Sequence, residues 1–503
     1  MDPLGDAHEA TVPAAERHAR GQYFTPFPLI ELVLDLCAAG VPQPESVMDP
    51  ACGSGRFLMA ARARWPDARL VGFETDPAAL ALAQENLPNA ELHGGSFLEA
   101  KTRRRVDMLV GNPPYVRQRG RKRDLYVDFL QEAPRWLTAA GRLGLVLSSS
   151  WLDVEYGQEI RELLAREFAV EWIVESSAER WFPGAKVNTM VLEARRETEA
   201  MARPFSLVHF GEVREELPAA PTLVRRVTQQ DLGAERPWGP YLRAPEWWLE
   251  RWGTTATLGD LAELRRGWTT NDNGFFYPPE DAGIEERWLR PLAKSPKRVR
   301  GAHAVAADLP DRAFVVDEEP VGGARRWIDA AGRSEWRLPA QVPTRQMLVK
   351  GYGDRFRQPR FDVPVHYDQQ LYGVYAADGV DEAALAGLLH SSWFGLTLEL
   401  LGRVNFGDGV LWLGLRDARG LPVPDLRARG EVAGLAEGFA MLQGPAPTVV
   451  ELAAGGTAWD DGLARIDAVV AELLGLGDVD VRGAWAALTQ RRLRKARSRG
   501  RRR

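Results

Sequence analysis

Residues 47–57 read Val-Met-Asp-Pro-Ala-Cys-Gly-Ser-Gly-Arg-Phe: an apolar pair, a turn carrying two glycines, and the start of a helical pattern. A strand that enters such a turn and leaves it as a helix lets a ligand approach backbone N–H groups closely. Nineteen residues past Gly55, Glu74 closes the next apolar run, where an acid can accept both hydroxyls of a ribose. A nucleotide-like cofactor is implied. Pyrophosphate binders keep Gly or Ala at the third position after the second glycine, so that helix and strand pack closely; here that position is Leu58. A dinucleotide is thereby disfavoured. The competing reading is an ordinary strand-to-helix turn, since glycine pairs are common at turns.

Outward from this turn, short apolar runs alternate with helical patterns from Glu45 to Arg195, which predicts a parallel sheet covered by helices. Strands are expected at Ser46-Met48, Leu70-Glu74, Glu91-His93, Met108-Val110, Leu143-Leu147, Glu171-Val174 and Thr189-Ala194. Between them, Phe57-Arg64, Pro77-Asn86, Leu125-Leu137 and Glu155-Glu167 repeat apolar residues at three and four, the spacing of amphipathic helices. The Pro- and charge-rich stretch from 196 to 245 reads as a connection and a boundary. Domain one is thus expected over 1–245. Beyond it the strands are short, Gly and Pro are frequent, and twelve of the 17 tryptophans lie after residue 235. This predicts a second domain over 246–428, a helical segment over 429–490, and a basic tail over 491–503 without fixed structure. Leu463 to Leu474 places its apolar residues on one helical face, with Gly475 as the stop.

The chain has 503 residues, 45% hydrophobic and 26% charged, an ordinary globular composition with room for about three domains. No apolar stretch approaches the roughly 18 residues needed to cross a bilayer, and the first residues carry no basic-then-apolar leader. The expectation is a cytoplasmic, nucleoid-associated protein with no membrane partner. Two cysteines, Cys37 and Cys52, and seven scattered histidines show no ligand spacing, so no metal is expected. Net charge is −5, but residues 491 to 503 hold nine Lys/Arg and no acid, leaving 55 basic against 69 acidic residues elsewhere. Residues 287 to 300 add six basic residues and no acid, among them Lys294, Lys297 and Arg298. Such local patches suit a polyanion, although charge runs are also ordinary solvated surface.

The most specific signal is Asn112-Pro113-Pro114-Tyr115, directly after the fourth expected strand and so beside the glycine loop at a carboxyl edge. An exocyclic amine conjugated to a ring is a poor nucleophile; two acceptors that hold its N–H groups pull nitrogen toward tetrahedral geometry. Asn112 offers a side-chain carbonyl and Pro113 a backbone one. Consecutive prolines fix φ and remove competing donors, and the Tyr115 ring offers a stacking face for a planar base. Transfer then needs one displacement and no covalent intermediate, so catalysis is positioning and electrostatics. Cys52 is read as a small packed residue, because attack by nitrogen needs no thiolate.

Together, this tetrad, DPACGSGRF from Asp49, and GQYFTP from Gly21 to Pro26 resemble the Taq-type adenine-N6 DNA methyltransferases of the gamma arrangement. The resemblance implies an α/β fold: a Rossmann-like S-adenosylmethionine-dependent methyltransferase domain with a mostly parallel seven-stranded sheet, then a mixed α+β target-recognition domain. It implies that Thr25 and Pro26 lie over the methionine part of S-adenosylmethionine. Asp49, Ala51, Gly53 and Gly55 would hold that cofactor, with Glu74 and Thr75 at its ribose. Where the family usually places an acid against the cofactor adenine the chain has Ser96, with Phe97 left to pack the ring, and Asn112 also borders the cofactor. Asn112, Pro113, Pro114 and Tyr115 would hold the target adenine, and Phe182 would stack on its other face. The opening Leu258-Gly-Asp-Leu and the closing Leu421-Pro-Val-Pro424 resemble the ends of target-recognition domains.

Reaching adenine N6 in a duplex requires flipping the nucleotide out, with compensating contacts elsewhere. Nine basic residues against Asp107 between 101 and 123, including Arg121, Lys122 and Arg123, form an expected phosphate-facing loop, joined by Lys186. Double-stranded DNA is the expected partner of a monomer, with any restriction endonuclease on a separate chain. The alternative is a protein (glutamine amide) or RNA N-methyltransferase using the same chemistry. Such an enzyme needs no long DNA-reading domain.

Overall fold

The computed structural model describes residues 25–101, 104–116, 123–154, 156–176, 181–182, 188–198, 202–210, 222–405, 409–427 and 432–497. Two compact units emerge: residues up to Arg243 together with Arg494 onward, and Ala244–Leu493.

The first unit opens with α1 (Phe27–Ala38), then alternates β1 (Ser46–Asp49), α2 (Arg56–Arg64), β2 (Arg69–Glu74), α3 (Pro77–Asn86), β3 (Glu91–Gly94) and β4 (Val106–Gly111). It continues with α4 (Tyr126–Trp136), β5 (Leu137–Ser148), α5 (Gly157–Glu167), β6 (Phe168–Ser176), β7 (Thr189–Arg196), β8 (Pro204–Phe210) and β9 (Thr222–Thr228). The strands form one sheet in the order β3-β2-β1-β4-β5-β7-β6-β8-β9. β1 pairs in parallel with both β2 and β4, so the chain runs outward to β3 and returns on the other side of β1. That reversal is the switch point at which open α/β sheets bind ligands beyond their carboxyl ends.

The inner strands of this sheet are buried on both faces, as parallel sheets require. Val47, Met108, Val110, Val146 and Val191 pack with α1 and α2 on one face. Met48, Leu109, Leu145, Ile173 and Leu192 pack with α4 and α5 on the other. All seven expected strands are present, but the sheet has nine. β8 and β9 lie in the stretch read as a connection. Phe205 and Leu207 pack into one core layer and Val208 into the other, while β9 is an edge strand and so tolerates Arg225 and Arg226.

In the second unit, β10 (Ala262–Arg266), β11 (Leu289–Ala293), β12 (Arg312–Phe314), β13 (Thr344–Val349), β15 (Arg360–Tyr367) and β16 (Leu371–Ala376) form a mixed sheet in the order β10-β16-β13-β15-β11-β12. A smaller sheet joins β14 (Gly351–Tyr352), β18 (Val410–Trp412) and β17 (Arg403–Asn405) in the order β14-β18-β17. The expected division at 428/429 is not a division of the core: Leu435, Phe439, Ile466 and Val470 share one cluster with Leu385 and Trp393. Asp467 on the helix Asp460–Leu474 accepts from the Ser392 backbone N–H at 2.8 Å and its hydroxyl at 2.7 Å, tying that helix to Ser392–Leu401. Gly475 stops the helix with φ 60°, as its position suggested.

The expected unstructured tail is corrected in part. The helix Val481–Arg497 covers the first seven of its residues. Arg492 is buried and grips Glu399 with Nε at 2.6 Å and Nη2 at 3.0 Å, so burial and a bidentate carboxylate outweigh the local charge density. Among the described residues no single helix is long and apolar enough to cross a membrane.

Candidate active site

The loops after β1, β2 and β4 meet at the switch point. Asp49 ends β1 with a buried carboxylate whose Oδ1 accepts the Ala51 N–H at 3.0 Å. A Cβ on Gly111 would sit 2.5 Å from that oxygen, so glycine at the end of β4 lets the strand pass the carboxylate. Burial pushes Asp49 up to about 7; the Ala51 N–H opposes this and the Glu74 charge reinforces it.

Gly53 and Gly55 adopt φ 53° and 92°, the left-handed region that favours glycine. A Cβ on Gly53 would meet nothing within 4 Å, and the same holds at Gly95, so open space fronts both backbones. Glu74 binds this turn to the next one: Gly53 N–H donates to Oε2 at 2.9 Å and Asp76 N–H to Oε1 at 2.7 Å, with Thr75 Oγ1 3.4 Å away. Asp76 then caps α3 through Ala78 N–H at 3.0 Å. Two carboxylates and an open glycine cradle fit the ammonium and hydroxyl groups of S-adenosylmethionine.

Across the cradle, Asn112 follows β4. Its amide is oriented from both ends: Nδ2 donates to Thr25 Oγ1 at 3.1 Å, and the Tyr115 hydroxyl lies between Asn112 Oδ1 and the Val146 carbonyl, 3.1 Å from the latter. Thr25, expected only over the cofactor, therefore also sets the tetrad. No local signal links residues 87 apart. Pro26 leads into α1, Pro113 is buried and Pro114 half-buried.

A second network stands behind the tetrad and was not anticipated. The Tyr115 ring meets Tyr126 edge-on at 6.1 Å; Tyr126 OH lies 3.3 Å from Tyr156 OH. Tyr156 donates to Asp124 Oδ2 at 2.8 Å and lies 2.9 Å from Ser150 Oγ. Leu125 N–H to Val116 O at 2.9 Å closes the loop base that follows the tetrad.

Several expected residues fall elsewhere. Ser96 caps the turn Phe97–Glu99 through Leu98 N–H at 3.2 Å. Phe97 is packed inside, stacked on Phe129 at 5.5 Å and tilted against Trp136 at 5.2 Å. Phe182 is likewise buried, clustered with Trp181 and Val174. Arg123, expected as a phosphate contact, is tied to Asp128 at 2.7 Å and to Glu159. Arg121, Lys122 and Lys186, like Gly21 to Phe24 of the first motif, lie outside the described residues. In the second unit Lys294 and Arg298 face Asp311 at 3.4 and 3.7 Å, while Lys297 is exposed. Cys52 is buried and its thiol pushed up by desolvation, which opposes thiolate chemistry.

The sheet order and the open glycine cradle beside the Asn-Pro-Pro-Tyr edge are an arrangement that fits an S-adenosylmethionine-dependent methyltransferase fold. Residues 1–236 match the family described as N-6 DNA Methylase. Type II methyltransferase M.XamI of Xanthomonas campestris pv. amaranthicola is 29% identical over 344 residues, covering 61% of this chain and 62% of the relative. That share exceeds the first unit, so the likeness runs into the second. Type II methyltransferase M.TthHB8I of Thermus thermophilus is 31% identical over 215 residues, 38% of this chain and 48% of the relative. A release factor glutamine methyltransferase of Geobacter sulfurreducens is 37% identical over 93 residues, 17% of this chain and 32% of the relative. The chain thus spans less than two thirds of each relative's length.

Proposed function

We propose that the protein is a site-specific DNA methyltransferase that moves the methyl group of S-adenosylmethionine to adenine N6 in duplex DNA. The observation that carries this reading is Asn112 at the β4 edge, its amide aligned by Thr25 and Tyr115 beside the Asp49–Glu74 cradle. Bound S-adenosylmethionine supplies an electrophilic methyl on a sulfonium. Asp49 and Glu74 hold its polar groups, and the open backbones at Gly53 and Gly95 admit it. Asn112 Oδ1 and the Pro113 carbonyl accept the two N–H groups of a flipped adenine, sharpening nitrogen's lone pair. Tyr115 stacks on the base. Phe182 reaches the base's other face only by leaving its cluster, so in this reading it moves when DNA binds.

The short likeness to a glutamine methyltransferase fits a catalytic edge that several planar amines can share. What favours DNA is the second unit of Ala244–Leu493, large enough to read a duplex, with the likeness to M.XamI extending into it. It serves here as a target-recognition domain of the Taq-type arrangement. We place the protein in the cytoplasm as a monomer, the modification component of a restriction–modification or phage-defence system whose endonuclease is a separate chain. Methyl transfer from labelled S-adenosylmethionine to duplex DNA, RNA and a glutamine-bearing peptide tests the reading: label in duplex adenine supports it, and label in peptide or RNA alone refutes it.

A further inference from the structure

An exposed glutamine on a surface loop ordinarily keeps its rotamer freedom. Gln369, exposed between β15 and β16, has its backbone held on both sides and its side chain held at one end. Its backbone N–H donates to Trp268 O at 2.9 Å, and its backbone carbonyl accepts from Lys350 Nζ at 2.7 Å. Its side-chain Oε1 accepts from Thr269 Oγ1 at 3.2 Å. With Thr269 Oγ1 donating to Oε1, the amide keeps Nε2 as a donor and a second lone pair on Oε1. Gly267 makes the approach possible, since a Cβ there would lie 2.1 Å from Asp368 O.

Around this amide the surface is basic and aromatic. Lys350 Nζ lies 5.2 Å from the Trp412 ring and 4.9 Å from the Tyr372 ring. Trp412 is 38% exposed and its strand neighbour Val410 39%. Trp412 lies across from Gly351, where a Cβ would be 3.3 Å from the indole. Arg266, exposed at the end of β10, adds charge that bears on Lys350. A lysine over an exposed indole, beside a second cation and a glutamine amide, suits an anionic polymer with base edges. An amide that both donates and accepts matches the N7 and N6 groups of adenine in a major groove.

We propose that Gln369 is a specificity-determining residue that reads an adenine edge, with Lys350, Arg266 and Trp412 engaging the neighbouring backbone; this rests on the DNA reading above. The test expresses the full chain, Gln369→Ala and Thr269→Val in a methylation-free host and maps modified adenines by sequencing. Expected for Gln369→Ala is a motif in which one A·T pair loses definition while the other positions stay fixed. Duplexes substituted at that pair should lose at least roughly tenfold of their discrimination in competition binding with purified protein. Thr269→Val should shift the same position more weakly, with the melting temperature unchanged. An unchanged motif and unchanged competition, or loss of definition at a G·C pair only, overturns the proposal. Competition binding decides the matter even if Gln369→Ala no longer methylates. A wild-type chain that marks no DNA overturns the DNA reading itself.

Discussion

In the proposed reading Asn112 carries the chemistry and Thr25 its alignment, and the two substitutions should separate those roles. Asn112→Ala should lower methyl transfer by at least about 10²- to 10³-fold while calorimetric binding of S-adenosylmethionine persists. Thr25→Val keeps the shape and removes the acceptor of the Asn112 amide, so kcat should fall up to about tenfold, the worth of one hydrogen bond. Asp49 gives a pH signature. Its folded pKa of about 7 lies above that of an unfolded aspartate near ~3.9, so its contribution to stability is full at low pH and is lost as pH rises through 7. Glu193, buried and pushed up to about 8, adds the same trend, so the comparison is between variants. The Tm of the ligand-free protein should fall from pH 5 to 8, and Asp49→Asn should flatten part of that fall. An equal slope in both would remove Asp49 as its source. The places of Asn112 and Glu74 were legible because each stands at a strand end with a turn signal; the packing of Phe97 was not, because adjacency to a turn does not say which way a ring points.

Between elements, the seam of β1 and β4 sets the site, since it brings the Asp49 carboxylate against Gly111, one residue from Asn112. Gly111→Ala should cost about 1–3 kcal/mol in denaturant unfolding and weaken cofactor binding, because the added Cβ displaces Asp49. Seven strands and the flanking helices were readable because doubly buried strands show as short apolar runs and amphipathic helices repeat at 3.6 residues. β8 and β9 were not, because Pro204 begins one and arginines punctuate the other at a sheet edge. The helix Val481–Arg497 escaped a reading by charge for a related reason: which arginine finds a buried glutamate is a tertiary fact. Arg123 repeats that lesson, as its partners lie on α4 and α5.

For the whole molecule, the proposed catalytic edge is followed in the chain by a second unit whose Gln369, Lys350 and Trp412 suit, in this reading, a polyanion with readable edges. Binding should be salt-sensitive, and Arg121→Ala with Lys122→Ala should reduce the slope of log affinity against log salt by roughly 1.8, about 0.9 per lost phosphate contact. Arg123→Ala should chiefly alter stability, because its charge is spent within the unit. Expression of the full chain and of Asn112→Ala in a methylation-free host, followed by modification-sensitive sequencing, tests the central claim most directly. The account predicts N6-methyladenine at one fixed motif with the wild type and none with the variant. Unmodified adenines in the presence of folded wild-type protein, or equal marking by Asn112→Ala, would contradict it.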